Sequence, residues 1–222
     1  MTPSEKLLKI AQNEQLVANA NAELEEALYS KSEGGKSWYD TLWDNLQQNG
    51  KRAHYSYAFS YTGWNDKVYN PKYPIIPTST NGIAYMFTWN QAITDTKVPI
   101  TAFGSAQNAF YSCKELKRII KLIFDGTTNV NNMLYYCIKL EELYAEGKLD
   151  LSLNVQHSPL NKASIISLVN VLSETAEGQT MTFNLAAVNK AFETSEGAND
   201  GSTSAEWDTL QNTKSNWTIK AV

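Results

Sequence analysis

A residue motif near the middle of the chain returns after 24 positions, helical patterns precede it, and alternating helix and strand patterns follow it. These three observations predict an α/β chain: a short leucine-rich-repeat solenoid with an N-terminal helical segment and a helix–strand C-terminal cap. The repeat is read by aligning Ala109-Phe110-Tyr-Ser-Cys113-Lys-Glu-Leu116-Lys-Arg-Ile119 with Met133-Leu134-Tyr-Tyr-Cys137-Ile-Lys-Leu140-Glu-Glu-Leu143. Phe110, Cys113, Leu116 and Ile119 match Leu134, Cys137, Leu140 and Leu143. A weaker copy, Phe87, Asn90, Ile93 and Thr96, lies 23 residues earlier, with Asn90 in the cysteine's place. Each coil puts one small residue and several aliphatic ones inward, and stacking buries faces that no coil buries alone. The solenoid is assigned to residues 79–157.

Residues 1–35 read as a helix. Thr2 caps, Pro3 suits the first helical position, and Glu5 completes a capping box. Ile10, Val17 and Leu24 are spaced by seven, with Asn13 at a core position of that register. Two readings stand. One is a short coiled coil or anchor whose oligomer seam is Ile10, Val17 and Leu24. The other is an amphipathic helix packed on its own domain. Residues 36–78 form an aromatic-rich helix and extended junction. Trp38, Leu42 and Leu46 recur at helical spacing before Asn49-Gly50. Tyr55, Tyr57, Phe59 and Tyr61 then alternate, which predicts a strand. Three prolines at 71, 74 and 77 predict irregular extended chain.

Residues 158–222 read as the helix–strand cap. Ser158-Pro159-Leu160 leads into an apolar helix from Ala163 to Leu172. Met181 to Phe183 reads as a strand, Leu185 to Phe192 as a helix, Glu206 to Gln211 as a short helix and Trp217 to Val222 as a terminal strand. The segment between Glu193 and Ala205 is polar and rich in Gly and Ser, which predicts a loop.

Composition excludes several classes of function. The 222 residues carry 19 Lys and Arg against 23 Asp and Glu, a net charge of −4. This argues against a basic footprint over the chain, so no nucleic-acid partner is expected. Two His and two Cys do not make a zinc cluster at these spacings, and no metal or other cofactor is expected. No apolar run of signal-peptide or membrane-span length occurs, which places synthesis in a cytosol.

Candidate chemistry is sparse. Cys113 and Cys137 occupy equivalent repeat positions. Neighbouring strands lie about 4.8 Å apart, so a disulfide is geometrically open to them. The competing reading is two buried thiols packed as small apolar residues. Asp40 and Asp44, and Glu23, Glu25 and Glu26, read as solvated helix faces rather than a glycosidase pair. His54 and His157 have no metal-binding or catalytic motif beside them. No catalytic residue is assigned. The aromatic band from Trp38 to Tyr73 is either core or an exposed platform. Its candidate partner or ligand surface is Trp64, Tyr69 and Tyr73.

The segment Ala109–Leu143, with its Phe-x-x-Cys-x-x-Leu-x-x-Ile pattern and echo, resembles the BspA-type leucine-rich repeat. Ser158-Pro159-Leu160 and Asn216-Trp217-Thr218-Ile219 resemble the C-terminal portion of such proteins encoded by phages and prophages of gut bacteria. Trp43-Asp44, Gln48-Asn49-Gly50-Lys51-Arg52, Tyr55-x-Tyr57-Ala58-Phe59, Gly63-Trp64 and Pro71-Lys72-Tyr73 resemble the front of that group. The resemblance implies a non-enzymatic, virion- or tail-associated structural and recognition protein. It also implies a homo-oligomer, a trimer being the first expectation, whose partners are other virion proteins or a host-surface protein or glycan. The alternatives are a bacterial BspA-type surface adhesin binding host or matrix protein, and a carbohydrate-active enzyme.

Overall fold

The computed structural model describes residues 51–52, 55–56, 58–60, 68–69, 73–192 and 204–222. These residues all fall within Asn49–Val222, one unit of the chain. The predicted helices over 1–35 and 36–50 lie outside them, as do residues 193–203 of the predicted loop; its last residue, Ala205, opens a helix instead.

The repeating element is a ribbon of consecutive turns. Residues 82–90 show its wiring. The amides of Gly82, Ala84, Met86, Thr88 and Asn90 each donate to the carbonyl three residues back. The alternate amides of Ile83, Tyr85, Phe87 and Trp89 donate instead to Ser105, Gln107, Ala109 and Tyr111 of the next coil. That coil repeats the pattern, with Ala106, Asn108, Phe110 and Ser112 donating to Asn129, Asn131, Met133 and Tyr135. Backbone donors are therefore satisfied half locally and half across the stack.

This wiring sets the burial pattern. Ala106, Ala109, Phe110, Cys113, Leu116, Ile119 and Leu122 are fully buried, at steps of three, one and then three. Neither a strand nor a helix has that period. The same steps explain Tyr55 and Phe59, both buried. The strand predicted from the alternating aromatics is corrected here. Ser56 and Ala58 to Ser60 are turns, and the strand β1 covers only Lys51–Arg52. Tyr55 donates to Gly82 and Phe59 to Met86, so this segment is already an earlier coil of the same ribbon.

Columns of matching side chains run through the stack. Phe59 stacks on Phe87 at 5.3 Å, and Phe87 on Phe110 at 5.1 Å. Leu134 and then Ser158 continue the register, both buried. The column thus tapers from ring to hydroxyl as the chain turns toward its helices. Beside it, Asn90, Cys113 and Cys137 form a second buried column. Outside the ribbon the chain forms parallel strands. β2 (Val68–Tyr69), β4 (Asp95–Thr96), β6 (Arg118–Asn129) and β7 (Glu142–Gly147) align Tyr69, Thr96, Ile119 and Leu143. β5 (Ile100–Ser105) pairs with the later part of β6, and Ile75, beside β3 (Ile76–Pro77), bridges to Ile100.

The chain then changes style. α1 (Lys162–Asn170) packs on β7, where another strand would otherwise add. Ser164 and Ser167, three apart on one helix face, replace that strand. Leu143 N donates to Ser164 Oγ at 2.8 Å and Ala145 N to Ser167 Oγ at 2.6 Å. The same hydroxyls donate to the carbonyls of Glu141 and Ala145. Two side chains therefore satisfy the edge of a parallel sheet. Beyond it, β8 (Leu153–Asn154), β9 (Gln179–Phe183) and β10 (Trp217–Ala221) form a separate parallel sheet in the order β10-β9-β8. α2 (Leu185–Ala191) and α3 (Ala205–Asn212) are capped by Asn184 and Ser204, and Trp207 of α3 packs against Phe183 and Phe192.

Candidate functional site

The eight repeat positions named from sequence, Phe110, Cys113, Leu116, Ile119, Leu134, Cys137, Leu140 and Leu143, are all buried. They build the interior and contact nothing outside. Both cysteines are free thiols. Cys113 Sγ donates to the Phe87 carbonyl at 3.0 Å and Cys137 Sγ to the Phe110 carbonyl at 3.1 Å. Asn90 Nδ2 makes the same contact with the Phe59 carbonyl at 3.3 Å. Burial pushes the Cys137 thiol up to about 12 and the Cys113 thiol well above its ordinary value. Neither is poised as a nucleophile.

Of the surface residues named from sequence, Trp64 lies outside the described residues, and so do Ile10, Val17 and Leu24. Tyr69 places its backbone in β2, and its side chain is not described. Tyr73 sits at a bend and is 36 % exposed.

The structure places exposed rings elsewhere, on the outer face of the ribbon. Trp89 meets Tyr111 at 5.9 Å, tilted, and Tyr111 stacks on Tyr135 at 5.6 Å. His157 lies edge-on to Tyr135 at 4.6 Å and stacks flat on Tyr136 at 4.5 Å. Trp89 is 41 % and Tyr136 43 % exposed, while the rings between them are half-buried. Lys114 Nζ lies 5.8 Å from the Trp89 ring centre, within cation–π range. Crowding desolvates the Tyr135 phenol and holds it above its ordinary value, with Tyr136 and Tyr111 adding to the effect. One ring or more from each of four successive coils thus forms a continuous row.

This row lies outside the aromatic band at 38–73, where aromatic density in the sequence is highest. The signal was present in the repeat itself. Tyr111 and Tyr135 are 24 residues apart, and Tyr136 echoes Ser112. Both pairs fall between the matched Phe or Leu and Cys positions, where the ribbon turns outward.

A second surface is polar. A groove of about 840 Å³ crosses the coils beside β4, β6 and β7. Three of its four carboxylates are ion-paired, two of them in register across the strands. Arg118 Nε donates to Asp95 at 2.9 Å, and Glu142 lies 3.8 Å from the same guanidinium. Lys139 reaches Glu115 at 2.7 Å. Burial would raise the Asp95 carboxyl, but the hydrogen bonds from Arg118 and Lys97 outweigh it and hold the group below its usual range. Asp95, Arg118 and Glu142 are partners across adjacent strands, so the groove works as a cross-link between coils. Among the described residues no group of three or more His, Cys, Asp or Glu is placed to hold a metal ion. No helix among them is long and apolar enough to cross a membrane.

Comparison with protein-family models, curated proteins and solved structures gives no match to this chain.

Proposed function

We propose that this chain is a non-enzymatic recognition protein of a phage particle, built as a short leucine-rich-repeat solenoid of the BspA type. The single observation that carries the recognition role is the row of outward rings from Trp89 to His157. Rings of this kind supply contact area at low conformational cost. The ion-paired groove and the buried thiols offer no comparable free chemistry. The particle assignment rests on the resemblance of the repeat and of the front motifs. In this reading the N-terminal segment, with Ile10, Val17 and Leu24 as its seam, assembles three copies. The stacked coils then present the rings to a partner at the host surface.

Peptide mass spectrometry of particles purified on a density gradient tests the assignment. The chain is expected at constant ratio to the major structural proteins through successive gradients. A chain found only in the soluble lysate overturns it. Light scattering at micromolar concentration is expected to give about three times the chain mass of 24.8 kDa, and a monomer overturns the oligomer.

A further inference from the structure

We infer that the outer face of the turn ribbon, from Trp89 across Tyr111 and Tyr135 to Tyr136, binds an uncharged glycan. This rests on the recognition reading above and names its ligand class. The first support is the backbone under the rings. Trp89 and Tyr136 are each the third residue of a hydrogen-bonded turn, with φ of +58° and +60°. That conformation favours Gly or Asn, and a bulky ring in it is an outlier. The same turn on the coil between them carries Ser112, buried, at φ +59°, and the turns four residues earlier carry Tyr85, Asn108 and Asn132 at +59°, +52° and +52°. The fold is therefore served by Ser or Asn at such positions. At Trp89 and Tyr136 two of the largest side chains stand there instead, and both are exposed.

The second support is the chemistry around the rings. The coils that carry the rings also carry the amide side chains of Gln107, Asn131, Asn132 and Gln156, exposed or part-buried. Of the charged groups on these coils, Lys114 lies over the Trp89 ring, and Lys139 and Glu115 pair with each other. A protein-binding hot spot is expected to add Arg anchors and a dry, closely packed centre. Exposed rings on coils rich in neutral amides match a sugar instead: its C–H faces lie on the exposed parts of Trp89 and Tyr136, and its hydroxyls exchange hydrogen bonds with the amides. Tyr111 and Tyr135 stack on one another, so they buttress the two exposed rings rather than offering their shared faces to the ligand.

The test uses the full chain in affinity gel electrophoresis. The gels contain a neutral glucan, mannan or galactan, with hyaluronate as the acidic control, and an array of neutral oligosaccharides widens the search. Trp89→Asn and Tyr136→Asn remove the rings while suiting the turns. The wild-type chain is expected to be retarded by at least one neutral polysaccharide. Each variant is expected to lose affinity at least tenfold, with its thermal midpoint held or raised. Binding to no neutral glycan, or to hyaluronate alone, overturns the inference. So does neutral-glycan binding that both variants retain, or a variant midpoint that falls with the binding. Glycan binding by a chain absent from particles would overturn the virion assignment and leave this inference standing. A chain built into particles that binds no neutral glycan would do the reverse.

Discussion

The Cys113 thiol donates to the carbonyl of Phe87, one coil away, at 3.0 Å. The Asn90 and Cys137 donors repeat that contact on the neighbouring coils. The cysteines are therefore hydrogen-bond donors of the stack, and a disulfide would remove both. Native protein is expected to show no thiol reactive to an aromatic disulfide reagent, and unfolded protein two. Because burial raises these pKa values in the folded state, native protein holds the thiol protons more tightly than unfolded protein does. Stability is then full below 9.0, the ordinary value, and falls as pH rises toward about 12. Urea midpoints between pH 8 and 11 check this, and Cys137→Ala is expected to flatten the decline.

The sheet edge at β7 depends on two hydroxyls. Ser164→Ala or Ser167→Ala leaves the amide of Leu143 or Ala145 buried without its acceptor. Each is expected to lower stability by about 1–3 kcal/mol. Urea unfolding at unchanged slope measures it, and losses under about 0.3 kcal/mol would show that the helix covers the edge without capping it.

Two glycines separate tight approach from mere backbone preference. A Cβ on Gly82 would stand 2.0 Å from the Phe103 carbonyl oxygen, at φ +53°. One on Gly178, at φ +70°, would meet nothing within 4 Å. Gly178→Ala is expected to cost about 1–2 kcal/mol, the left-handed penalty alone. Gly82→Ala adds a clash with backbone and is expected to exceed about 3 kcal/mol. Equal losses on thermal unfolding would contradict the close approach of the coils there.

The Asp95–Arg118 pair gives a pH signature in the acid range. Asp95 is expected to titrate below 3.8, and Arg118→Met to bring it back up. A carboxylate whose folded pKa is lowered contributes stability above its unfolded value and loses it as pH falls through the folded one. Arg118 is partly exposed, so the coupling is expected to stay under about 1 kcal/mol. Carboxyl carbon shifts followed by NMR measure the titration.

Much of this architecture is legible in the residues, because burial leaves a period. The step of three between Phe110, Cys113, Leu116 and Ile119 is visible in sequence, and so is its echo 24 residues on. The patterns read over 163–172, 181–183, 185–192, 206–211 and 217–222 fall on the helices and strands that form at 162–170, 179–183, 185–191, 205–212 and 217–221. The turns at Ser56 and Ala58–Ser60 depart from the strand that alternation predicts, because the repeat spacing there is longer. Phe59 and Phe87 are 28 residues apart, so the alternation of rings looked like a strand. The edge-capping role of Ser164 and Ser167 carries no sequence signal, since it depends on which strand the helix meets. The outward rings were hidden for another reason. Trp89, Tyr111, Tyr135 and Tyr136 lie between the core positions, where the core period carries no signal.

Two residues two positions apart divide the labour of one coil. Phe87 is sealed in the inner column between Phe59 and Phe110, and Trp89 stands on the outer face. Equilibrium urea unfolding of Phe87→Ala and Trp89→Asn measures each. Phe87→Ala is expected to lose about 3–5 kcal/mol, and Trp89→Asn to change stability by no more than about 0.5 kcal/mol or to raise it. Comparable losses in the two variants would contradict this division, because the outer ring would then be part of what holds the coils together.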